Sequence, residues 1–154
     1  MKVIIWGCRG SITTPGKDTL RYGGNSTCLE IRPREGRVVI VDAGSGIRLL
    51  GKKLMKDTSI NDLCIILTHA HWDHLSGFPF FVPAYLDRYE INIYGGPKAQ
   101  KSLKKYFSKQ MDLPFFPVDF NVMKANFKFG YKCLNSGTIG LIEFIPVPLS
   151  HPNG

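Results

Sequence analysis

One short segment, which reads H-x-H-x-D-H from His69 to His74, constrains this chain more than any other part of the sequence. It closely follows the apolar run at residues 63–67, which is short, rich in β-branched residues and bounded by polar ones, so it predicts a buried strand. Because alternate side chains of a strand share one side, His69 and His71 can direct their imidazoles at one point beyond its end. Asp73 and His74 are adjacent and therefore diverge towards a second point nearby.

Three imidazoles and one carboxylate within six positions predict a metal site, because such nitrogen and oxygen ligands suit zinc, iron or manganese. The alternative is that Asp73 caps a helix beginning near His74 and that the histidines are rim residues. The chain has four histidines, of which three lie in this segment and the fourth is His151. This concentration favours the metal site.

The same segment resembles the metal-binding motif of the metallo-β-lactamase-fold hydrolases. Other segments, spread over the whole chain, resemble the phosphodiesterase-like branch of that superfamily: residues 9–12, 21–28, 41–48, 77–81 and 149–152. The resemblance implies an α/β (α+β) fold of the αββα sandwich type. In such a sandwich two packed sheets are flanked by helices, and the strands deliver metal ligands at one edge.

The resemblance also implies a role for each residue of the motif. His69, His71 and His151 would bind a first metal ion, and Asp73 and His74 would contribute to a second. Asp73 would in addition orient the attacking water, which makes it the implied catalytic residue. Zinc is the expected cofactor, with manganese or iron as alternatives and up to two ions in a completed site. The implied reaction is hydrolysis of a phosphate ester by a metal-activated water.

Three residues outside the motif are also candidates. By the same resemblance Asp42 would orient a ligating histidine; the alternative is that it caps the helix predicted at residues 47–55. Asn25 and Ser26 lie in a loop that the branch retains, and we expect them to contact the substrate.

The chain departs from the family's pattern after His151. A complete domain there supplies a bridging aspartate, a further histidine and most of the second sheet, whereas no aspartate or histidine follows His151. We therefore expect a single domain over residues 1–154 that holds the first half to two-thirds of the sandwich, with a partly uncovered inner sheet face. A truncated piece, a short form completed by another chain and an inactive remnant all remain open.

Further elements can be read from residue patterns. The predicted strands cover residues 3–6, 27–32, 37–41, 91–94, 128–133 and 141–147. Helices are predicted at residues 47–55 and 98–109, and turns at residues 33–36, 95–97 and 135–137.

Charge and composition limit the classes of partner and the cellular compartment that the sequence predicts. The formal net charge of +8, with lysines concentrated at residues 98–132, favours small anionic substrates or nucleic acid; the alternative is a solvated helix face. No run approaches the roughly 20 apolar residues of a membrane span. The four cysteines are far apart, so they predict neither a disulfide framework nor a thiolate metal site. Together these features predict a cytoplasmic protein that does not enter membranes.

The sequence therefore predicts a metal-dependent, phosphodiesterase-like hydrolase. The alternative is an inactive or truncated half-domain that acts as a binding module and holds nucleic acid or a partner chain on its basic surface. A homo-oligomer that covers the exposed sheet face is a further expectation. Metal content and ester hydrolysis would separate the enzyme from the binding module.

Overall fold

The largest element of the computed structural model is a six-stranded sheet. The structure describes residues 1–34, 37–96, 102–130 and 136–151. The strands follow one another in the sheet in chain order: β1 (Lys2–Gly7), β2 (Cys28–Arg32), β3 (Val38–Val41), β4 (Asp62–Leu67), β5 (Glu90–Gly95) and β6 (Asn126–Phe129). The first three are antiparallel, whereas β3 to β6 are parallel. The carboxyl ends of β3, β4 and β5 therefore meet at one edge.

Helices cover one face of this sheet. They are α1 (Ile47–Leu54) and α2 (Leu103–Lys109), accompanied by short 3₁₀ turns between residues 72 and 85. In α1 the apolar residues Ile47, Leu50 and Leu54 recur at helical spacing and are fully buried in the core. This packing fixes the loop that leads from β3 into α1 against the edge where the parallel strands end.

A second, smaller sheet lies on the opposite face. It consists of β7 (Gly137–Ile139) and β8 (Ile142–Phe144), which pair antiparallel. Ile139 packs on Val39 and Cys64 of the main sheet, so two sheets are in contact and the α/β architecture is confirmed. The cover is partial, because Val3 and Ile5 of β1 remain 54% and 64% exposed. This agrees with the expected exposed part of the inner sheet face.

Most predicted elements are found within a residue or two of their expected ends. The strands expected at residues 3–6, 27–32, 37–41, 63–67 and 91–94 and the helix expected at residues 47–55 are all present. Only residues 103–109 of the helix expected at 98–109 are described as helix. Parts of five predictions lie outside the described residues: 35–36, 97, 98–101, 131–133 and 135.

The last predicted turn and strand need correction. Gly137 begins β7 rather than ending a turn, and the chain instead reverses at Gly140, whose φ of +60° suits glycine. The strand expected at residues 141–147 is only Ile142–Phe144. Pro146 lacks an amide hydrogen to donate, which is consistent with the early end of pairing. No described helix is long and apolar enough to cross a bilayer.

Candidate metal centre

The H-x-H-x-D-H segment lies where β4 ends, at the edge formed by the parallel strands. Its last part is a 3₁₀ turn, Trp72–His74. Main-chain bonds hold this turn to the loop after β3, since Ala43 N donates to His74 O over 2.7 Å and Gly77 N donates to Ala43 O over 2.9 Å. A side chain at Gly77 would collide with that loop, since its Cβ would lie 2.1 Å from a backbone oxygen.

His69, His71 and His151 form a cluster. One ring nitrogen of each lies within 4.8 Å of the others, and among the described residues this is the one group of three or more possible ligands found. His69 Nε2 and His71 Nδ1 are 3.0 Å apart. The His151 ring centroid lies 4.6 Å from that of His69 and 4.9 Å from that of His71. Three convergent imidazole nitrogens are a donor set that fits zinc or a similar divalent cation.

The electrostatic environment of His69 favours its neutral form. Burial lowers the pKa of His69, and the positive charges that His74, His71 and His151 can carry lower it further. A neutral imidazole keeps a lone pair free for a metal ion. The geometry of the cluster and the protonation state of His69 therefore both suit metal binding.

His74 has a different environment, because its Nδ1 donates to Asp42 Oδ2 over 2.7 Å. Asp42 is 1% exposed and also accepts hydrogen bonds from the backbone N–H and the hydroxyl of Thr68. Burial lowers the pKa of His74, but the hydrogen bond and charge of Asp42 and the charge of Asp73 outweigh it and raise the pKa. Asp42 thus orients a histidine of the motif. Its capping alternative is wrong, because α1 begins after Gly46 without a side-chain cap.

Asp73 is held from the N-terminal loop. Its Oδ2 accepts the backbone N–H of Ser11 over 2.8 Å and lies 3.5 Å from His74 Nε2. Burial raises the pKa of Asp73, but the Ser11 hydrogen bond and the His74 charge outweigh it and hold the pKa below its usual range. Asp73 is therefore ionised at neutral pH. Its capping alternative is also wrong, since the capping position of the turn is His71 and no side chain caps it.

A pocket of about 370 Å³ opens beside Asp73. Arg48 lines it, together with five hydroxyl residues: Ser11, Thr13, Ser26, Ser45 and Ser76. Of the two predicted substrate contacts, Ser26 is in this wall, where its hydroxyl accepts the Ser45 N–H over 2.9 Å. Asn25 is not part of the lining, and its Oδ1 accepts the Ser45 hydroxyl over 3.0 Å.

Sequence reasoning missed three contributors to this site. Ser11 lies in the segment at residues 9–12 that resembles the branch, but no pattern in the sequence places its N–H against Asp73. Thr68 directly precedes the motif, and its polar character at a strand end was the one available signal. Arg48 lies in the helix predicted at residues 47–55, but the sequence does not show that this position faces the pocket.

Comparison with known proteins gives one family match. The sequence model described as the metallo-beta-lactamase superfamily matches residues 21–148, which include His69, His71, Asp73, His74 and Asp42. No curated protein matches the chain.

Proposed function

The chain belongs to the metallo-beta-lactamase superfamily, and we propose that it is a phosphodiesterase-like hydrolase that acts on a phosphate ester. Membership of the superfamily supports a metal-dependent hydrolase, and the cluster of His69, His71 and His151 supports a bound cation. The class of substrate and zinc as the metal are the parts that we add.

The observation that carries the phosphate ester is Arg48 in the pocket beside Asp73. Arg48 is exposed on α1, and no carboxylate among the described residues forms an ion pair with it. An unpaired guanidinium among hydroxyl groups matches phosphoryl oxygens in geometry and charge. The net charge of +8 would further favour the approach of an anion.

The chain's own residues would divide the work as follows. His69, His71 and His151 would hold the cation, which when bound supplies a Lewis acid and lowers the pKa of water. Asp73, ionised and fixed by the Ser11 N–H, accepts a hydrogen bond from the attacking water and orients it. Arg48 binds the phosphoryl oxygens and positions phosphorus for attack. A second ion at Asp73 and His74 stays a prediction.

The experiment measures metal content and hydrolysis of bis(p-nitrophenyl) phosphate on the same purified sample. We expect bound zinc with turnover, and loss of both in His71→Ala. Turnover that persists in metal-free protein or in His71→Ala would contradict a metal-dependent hydrolase.

A second pair of variants tests the substrate class. Arg48→Leu should raise KM for the phosphodiester by about 10-fold or more, since a hydrogen bond to a charged group contributes about 1.5–3 kcal/mol. Lys52→Leu is the matched control, because it removes one positive charge from α1 at an exposed residue outside the pocket lining. The neutral ester p-nitrophenyl acetate should be hydrolysed equally by both variants. An unchanged phosphodiester KM in Arg48→Leu would disprove the role of Arg48 and leave the metal chemistry untouched.

A further inference from the structure

Trp72 lines the pocket beside Asp73 and also borders a second pocket. This pocket has a volume of about 390 Å³ and lies between the metal-binding segment, α2 and the chain that follows α2. Three aromatic side chains line it, Trp72, Tyr106 and Phe115, together with Gln110. We propose that it binds an adenine ring.

Gln110 gives the first argument. The residue is 7% exposed, and within the described part of the chain neither Oε1 nor Nε2 of its amide has a hydrogen-bond partner. A buried amide that lacks partners costs about 1–3 kcal/mol, so such groups are rare in folded proteins. A ligand that offers a donor and an acceptor side by side would satisfy both atoms of Gln110 at once.

The aromatic side chains give the second argument. Trp72 is 59% exposed and Phe115 is 82% exposed, which is unusual for residues of this size. Both border the same pocket as the buried amide. A planar ring that stacks on such faces gains about 1–3 kcal/mol of binding free energy. The pocket volume lies within the range of ordinary small-molecule sites.

The hydrogen-bonding groups of the Gln110 amide indicate adenine as the bound ring. Adenine presents the N7 acceptor and the N6 amino donor on one edge, and a glutamine amide pairs with both. Unsubstituted purine, which has a hydrogen in place of the amino group, keeps the N7 acceptor but would lose one of the two bonds. Lys109 also lines this pocket, but its Nζ already forms an ion pair with Asp112 over 3.3 Å. The pocket therefore does not favour an anionic ligand.

This inference goes beyond the proposed function, because it concerns binding and needs no turnover. It still has a spatial link to the metal centre. Trp72 lies in the chain between His71 and Asp73, so a ring stacked on Trp72 lies next to the metal-binding segment.

Isothermal titration calorimetry with adenosine and purine riboside on the full chain tests the proposal, with and without zinc. Adenosine should bind saturably and about 10-fold more tightly than purine riboside, because one hydrogen bond distinguishes them. No saturable adenosine binding at millimolar concentration would overturn the proposal. So would equal affinity for the two nucleosides, and this comparison requires no variant.

Variants then assign the contacts. Gln110→Leu should weaken adenosine binding about 10-fold and remove the preference over purine riboside, whereas Trp72→Ala should weaken the binding of both nucleosides. Tyr22→Ala is the control, since Tyr22 is an exposed aromatic residue outside this pocket and should leave binding unchanged. Circular dichroism verifies the fold of each variant, and Gln110→Glu replaces Gln110→Leu if the latter unfolds. Wild-type affinity and preference in a folded Gln110 variant would overturn the proposal.

Discussion

His69 and His74 lie five positions apart at the same sheet edge, yet their surroundings differ in charge. His69 lies among the other imidazoles, and burial and their positive charges lower its pKa. His74 lies between Asp42 and Asp73, and these carboxylates raise its pKa despite burial. The protein thus supplies the counter-charge for His74 from its own chain. The cluster of His69, His71 and His151 instead offers three ring nitrogens that could hold a cation from outside.

The largest expected effect comes from removing a ligand of the cluster. His71→Ala leaves two imidazoles and should weaken zinc binding by at least about 100-fold, more than the 10- to 100-fold typical of residues that only orient ligands. Competition with a chelator of known affinity measures this. The control is His74→Ala, which keeps the cluster and should retain most of the affinity. If His74→Ala lost zinc as completely as His71→Ala, the distinction between the two environments would fail.

Removing the negative charge of Asp42 should have an intermediate effect. It should change the stability of the fold more than the zinc affinity of the histidine cluster. Asp42 has a φ of +62°, and asparagine tolerates this left-handed backbone, so Asp42→Asn removes the charge with little strain. Loss of hydrogen bonds to a buried charged group should lower the free energy of unfolding by about 1–3 kcal/mol. Urea denaturation of the metal-free protein measures it.

The matched control for Asp42→Asn is Asp62→Asn. Asp62 pairs with Arg37 over 2.9 Å, but its side chain is 40% exposed, so its loss should cost less than about 1 kcal/mol. Equal destabilisation by the two substitutions would show that Asp42 contributes nothing beyond an ordinary surface pair.

The smallest effect is a pair of opposite pH dependences in the metal-free protein. The raised pKa of His74 stabilises the fold below pH about 6.5, and this contribution is lost as the pH rises through the folded pKa. The lowered pKa of His69 acts the other way, because the unfolded chain binds the proton more readily and stability falls as the pH drops. The stability lost in His74→Ala should therefore be greatest near pH 6, and that lost in His69→Ala near pH 8.

Urea denaturation of wild type and both variants at these two pH values tests the opposite signs. The same pH trend in both variants would mean that the two histidines do not differ in charge environment.

The spacing of neighbouring residues was sufficient to predict strand β4 and the H-x-H-x-D-H segment that follows it, because strand alternation acts over a few residues. It was insufficient for contacts between distant segments. The Ser11 N–H meets Asp73 across 62 positions, and the partner of Asp42 could have been any motif histidine until the fold selected His74. The strand at β7 was missed because turn-forming residues precede it, and packing of Ile139 on the main sheet outweighs that local preference.

The distance along the chain between the ligands has one further consequence. His71 and His151 are 80 positions apart, since 151 − 71 = 80. The segment that carries His151 is held by little burial, because Ile145, Val147 and Leu149 are 69–76% exposed. A cation shared by these histidines would close a loop of that length, as a disulfide cross-link does. In the chain-entropy description such a closure lowers the entropy of the unfolded chain by the equivalent of about 4.5 kcal/mol. The ion would thus act as a removable cross-link that couples the last described segment to the sheet edge.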